Sequence, residues 1–215
     1  MNDRTADKVL KALTVTTVAA LALAVLFYDS LFADSDGFAL LTSQEPSWTV
    51  DAALLILRAS LGMMIFAHGY NKAFRGGRIA GTAGWFQAIG MRPGAVHARL
   101  AAGTEMGVGV LLVLGLLTSV AAAGLIAVML VAFWTAHRGK GFMITGEGWE
   151  YVALIAAMSL VCAMVGPGSI SLDAKLDVAH RLDGGTGLGI ALLLGLGAGA
   201  AQLLLFYRPP ASGSD

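Results

Sequence analysis

The chain has 215 residues, 57% of them hydrophobic and 13% charged. Soluble domains are nearer a quarter charged, so the composition excludes an ordinary soluble domain and points to an integral membrane protein. Bases and acids balance at 14 each, so no net charge draws nucleic acid, and a single cysteine, Cys162, excludes an internal disulfide or dithiol pair.

In chain order, six apolar runs come near the length that crosses a hydrocarbon core. The first, 9–28, follows Arg4 and Lys8 and contains Lys11; it reads as an uncleaved anchor, because no small-x-small cleavage site follows it. The stretch 29–51 carries five acids and no base. The second run, 52–69, is interrupted by Arg58 and ends on His68, with Asn71 and Lys72 just beyond. Next comes "GGRIAGTAGWFQAIG" over 76–90. It lacks a Walker pattern and predicts an interfacial helix or re-entrant turn, with Trp85 and Phe86 at headgroup level. The third and fourth runs are 99–117, with His97 just before it and Glu105 inside it, and 120–136, closed by His137. The fifth, 151–165, is short and opens after Glu150; the sixth is 187–207. Gly103-x-x-x-Gly107 and Gly195-x-x-x-Gly199 have the spacing of small residues at tight helix contacts. The tail 209–215 is polar.

Basic residues set the direction. Six crossings that start in the cytoplasm place eleven of the 14 bases on that side, leaving only Lys175 and Arg181 outside and Arg58 within a span. Both termini are therefore expected in the cytoplasm, with the protein in the inner (plasma) membrane.

The charges inside the runs are the functional clue, because intramembrane ionisable residues are costly and mark sites. Arg58 lies ten residues before His68, roughly 15 Å along a helix, which places it near mid-membrane. Glu105 lies about 9 Å into the third run. The two are expected to pair in the bundle interior, where an arginine–carboxylate pair offsets part of its desolvation cost. On a helical wheel His68 and Lys72 fall within about 80° and 40° of Arg58. With His137 and Glu150 at the same end, the pattern predicts a polar funnel open to the cytoplasm, with Arg58 and Glu105 at its floor. Simpler roles compete: the histidines as interfacial residues, Lys72 as a positive-inside anchor, Glu150 as a favourable charge at a helix N-terminus. Histidines and a glutamate near a membrane surface exchange protons, and an arginine or histidine there can bond a quinone carbonyl. A haem between His68 and His137 is disfavoured by their interfacial depth, and no residue cluster has zinc spacing.

The segments "LLILRASLGMMIFAHGYNKAF", "GTAGWFQAIGM", "AAGTEMGVGVLLVLGLLTSVAA", "GWEY" and "GPGSISLDAKL" together resemble the DoxX family of small bacterial membrane proteins, over about residues 52–173. The resemblance implies an all-α core of four helices, here the second to fifth runs within 51–184. The segments 1–50 and 185–215 would each add one helix outside that core, making six spans. It also implies membership of membrane redox or thiol-stress systems. Arg58, His68, Lys72, Glu105 and Glu150 fall on the family's polar pattern. The leading expectation is a membrane subunit of an oxidoreductase system that touches quinone. Arg58, Glu105, His68 and His137 would take the catalytic roles, and Arg58, His68, Lys72, Glu105 and Glu150 would bind the headgroup. A partner protein would supply electrons. Alternatives are a scaffold or assembly factor that recruits soluble partners through Arg75, Arg78, Arg138 and Lys140, and a small transporter for a lipid or other small molecule.

Overall fold

The computed structural model describes residues 48–210, so the run 9–28 and the tail beyond 210 lie outside the described residues. Within them every regular element is helical. Helix α1 is Trp48–Phe74, α2 Arg78–Ala88 and α3 Gly94–Leu114. Helix α4, Thr118–Ala132, runs into a π-helical turn, Phe133–His137. Helix α5 is Glu150–Val165, the short helices α6 and α7 are Leu172–Lys175 and Ala179–Leu182, and α8 is Gly184–Phe206. Among the described residues four helices are long and apolar enough to cross a membrane: α1, α3, α4 with its π turn, and α8. Helix α5, at 16 residues, is about 24 Å long and falls short of the hydrocarbon thickness unless its flanking turns contribute. The chain is thus a multi-pass membrane protein.

Helix pairs close on small residues, since apolar side chains gain nothing by leaving lipid for one another and packing must supply the attraction. Helices α1 and α3 run antiparallel on two matched pairs, each with a seven-residue spacing. A Cβ added at Gly62 would lie 2.7 Å from the Gly109 carbonyl oxygen, and one at Gly69 would lie 2.7 Å from that of Ala102. Between them Leu61, Ile65, Val108 and Leu112 join Leu125 and Ile155 in the core.

Of the two glycine spacings expected to mark contacts, only one does. A Cβ at Gly195 or Gly199 would meet the carbonyl oxygens of Ala123 and Ala127 at 2.8 and 3.1 Å, whereas Gly103 and Gly107 face open space. Helix α8, expected as an addition to a four-helix core, packs closely on it: it runs along α4 and reaches α5, where Gly187 leaves no room for a side chain against the Ala163 carbonyl. The segment after α1 is a helix, α2, packed on α3. Its Phe86 is buried and its Trp85 is 47% exposed, so of the two aromatics only Trp85 faces outward. At this end the chain before α3 meets the end of α8, with Arg208 N–H donating to Gly90 O at 2.8 Å.

Candidate functional site

Arg58 and Glu105 do not pair, and the single funnel expected from the sequence separates into two polar sites. Arg58 points to the end of the bundle where α3 stops. It is 2% exposed, and its guanidinium donates to four carbonyl oxygens: Leu112 and Pro167 at 3.1 Å, Val113 at 2.5 Å, and Ile170. Leu112 and Val113 lie in the last turn of α3, where the macrodipole is negative; the Leu112 carbonyl also accepts from the Gly115 N–H at 3.1 Å. Gly115 closes α3 in the left-handed conformation, with φ +61°, and a Cβ there would lie 3.0 Å from the guanidinium carbon. Beside it Asp173, 1% exposed, accepts from the Leu117 and Thr118 N–H groups at 2.7 and 2.9 Å and from the Thr118 hydroxyl at 2.9 Å. A buried cation thus holds the end of α3, and a buried anion holds the start of α4. The charge inside the second run is a staple between α1, the α3–α4 turn and the segment 167–170.

Glu105 lies about two helical turns from that staple along α3. The missing side chain at Gly69 lets it approach α1, where a Cβ would come within 2.9 Å of its own. Its partner is Lys72, whose ammonium donates to both carboxylate oxygens at 2.7 and 2.6 Å. Glu105 is 4% exposed and Lys72 23%. Lys72 is therefore more than a surface anchor: it neutralises a buried carboxylate. An ammonium has three donors, so the bonds to Glu105 leave one free.

This pair lines a cavity of about 570 Å³, within the range of small-molecule sites. Ile65, Val128, Val152 and Ile155 supply apolar wall, and His68, Thr104, Thr135, His137, Tyr151 and Gln202 supply further polar groups. The π turn delivers Thr135 and His137 to the wall, in keeping with the frequent use of such turns at functional sites. His137 Nδ1 lies 2.6 Å from the Glu147 carbonyl oxygen. Outside the bundle Lys140 bonds the Glu147 carboxylate and holds it below the usual range for a glutamate.

Four of the six expected site residues, His68, Lys72, Glu105 and His137, come together here. Two do not. Arg58 is at the staple, and Glu150 accepts the Ile144 N–H at 2.9 Å from the first turn of α5 without lining the cavity. His97, expected to touch water, is instead 1% exposed, packed against Phe206 and 3.0 Å from the Gln202 amide nitrogen. Sequence reasoning gives Gln202 no role, although a lone amide in the run 187–207 is itself an intramembrane polar signal. Tyr151, whose hydroxyl meets the Met64 sulfur, gives no comparable signal at the end of its helix. Among the described residues no group of His, Cys, Asp and Glu is arranged to hold a metal.

Comparison with known proteins agrees with the resemblance. Residues 53–138 match the DoxX family model, a segment that runs from within α1 to the end of the π turn and so holds Lys72, Glu105 and His137. An uncharacterized protein of Haemophilus influenzae is 28% identical over 136 residues, covering 60% of this chain and 85% of that protein. No solved structure matches the chain.

Proposed function

From the premise that this multi-pass membrane chain carries a DoxX segment at residues 53–138, we propose that its cavity binds the headgroup of a membrane quinone as part of a redox system. The observation that carries this reading is the Lys72–Glu105 pair, set in a largely apolar cavity. A quinone headgroup is a flat apolar ring with two carbonyl acceptors. The remaining Lys72 donor suits one carbonyl, and the apolar wall suits the ring. Reduction of a quinone to a quinol consumes electrons and protons in equal number. Glu105, linked to Lys72, is placed to hold a proton beside the ring, and His68 and His137, at the cavity wall, are placed to pass protons from outside. A partner redox protein delivers the electrons.

The exposed arginines at this end, Arg75, Arg78, Arg92, Arg99, Arg138 and Arg208, support a cytoplasmic orientation for it in an inner-membrane protein by the positive-inside rule. They also offer that partner a basic face. The same face supports a second reading, a scaffold that recruits a soluble protein without chemistry of its own. Lipid-extract mass spectrometry on the full chain purified from its native membrane separates the two. Co-purifying quinone, depleted in Lys72→Met, is the expected result. A stable soluble partner with no quinone would leave only the scaffold.

A further inference from the structure

The cavity does not stop at the ion pair. Helices α3 and α8 both pack on α4, and they are tied to each other where His97 meets Gln202 and where Gly90 meets Arg208. Away from that tie the cavity reaches between them. Ala101 and Thr104 line it from α3, Ala198 and Ala201 from α8, and Gly124 and Ala127 from α4. Small residues on all three helices leave a slot instead of a packed seam. Its rim is apolar and uncovered: Trp85 is 47%, Leu100 49% and Leu205 63% exposed, all facing what is lipid in a multi-pass protein.

We propose that the space between α3 and α8 is a lateral slot through which the apolar chain of a single-tailed amphiphile passes from the bilayer, with its polar head at Lys72–Glu105. The assignment rests on the reading of that pair as the head-group end. The occupant has one hydrogen-bonding head and one long isoprenoid or acyl chain. The slot excludes bulk more than it selects sequence in the chain, because its walls are methyl groups and backbone.

The test uses the full chain in lipid nanodiscs and three probes: decylubiquinone, the tailless dimethoxy-methyl-benzoquinone, and oleate. Ala198→Phe and Ala201→Phe fill the slot from positions that are exposed, so the fold tolerates them. Leu204→Phe, 80% exposed on the same helix but outside the cavity, is the control. The slot variants should weaken decylubiquinone about tenfold or more, the loss expected when a few methylenes no longer find their place, and weaken the tailless ring far less. The control should bind like the wild type. Equal losses for both quinones, or no loss for either, would overturn the slot. If the wild type binds neither quinone but binds oleate with the same sensitivity to Ala198→Phe and Ala201→Phe, the slot stands and the quinone reading fails. Binding of none of the three probes would overturn the slot itself.

Discussion

Replacing Arg58 by methionine should destabilise the folded bundle by about 2–4 kcal/mol, the scale for leaving several buried carbonyls without donors. Four carbonyl oxygens from two parts of the chain converge on this guanidinium, and of these Leu112 O keeps a second donor, the Gly115 N–H. The loss also removes the positive charge facing the negative end of α3 and the nearby Asp173. Arg58→Lys should recover only part of the stability, since an ammonium is a compact charge and cannot fan out to four acceptors as the planar guanidinium does. Reversible unfolding in mixed micelles measures both variants. The folded fraction of each should bind quinone as the wild type does, because Arg58 does not line the cavity. A variant that kept full stability and lost quinone binding would return Arg58 to the ligand site.

The second large effect is an asymmetry between the two halves of the ion pair. Lys72→Met leaves a carboxylate that is 4% exposed with no counter-charge, and breaking a buried pair in this way costs about 3–5 kcal/mol. Glu105→Gln leaves an ammonium that is 23% exposed, on a flexible stem that can turn its charge toward water. Its cost should be nearer 1.5–3 kcal/mol, about that of a lost charge-assisted hydrogen bond. The double variant, with no charge left to strand, should be more stable than Lys72→Met alone. A double-mutant cycle on unfolding midpoints checks all three values. Equal costs for the two single variants would mean that the carboxylate finds water or another partner when Lys72 is gone.

Much of the bundle was legible in the sequence. The runs at 52–69, 120–136 and 151–165 lie on helices, and those at 99–117 and 187–207 overrun theirs by three residues and by one, because long apolar stretches admit few other solutions. The errors came from contacts that no side-chain pattern announces. Arg58 was matched with the nearest buried acid, Glu105, but its partners are carbonyls, which every residue carries and no letter of the sequence distinguishes. The direction of the pairing depended on how far α1 extends: it runs to Phe74, so that Lys72, one turn past His68, still lies on the helix and opposite Glu105. The resemblance covers four helices and says nothing of α8, and the glycines of α8 cannot be told by sequence from those of α3. Gly195 and Gly199 press on α4, while Gly103 and Gly107 touch nothing, and only the packed structure separates them. The candidate site was half visible for the same reason: its ionisable members stood out in apolar runs, whereas the small residues that make room for a ligand have no chemical signature.

In the proposed quinone site the buried Lys72–Glu105 pair is the polar focus. The most direct test of that role is a decylubiquinone titration of the full chain in lipid nanodiscs, wild type against the Lys72→Met, Glu105→Gln double variant, in which no charge is stranded. Saturable binding to the wild type, weakened about tenfold or more in the variant, is the predicted result for a lost charge-assisted hydrogen bond. Equal affinity in the two proteins, or no saturable binding to the wild type, would contradict it.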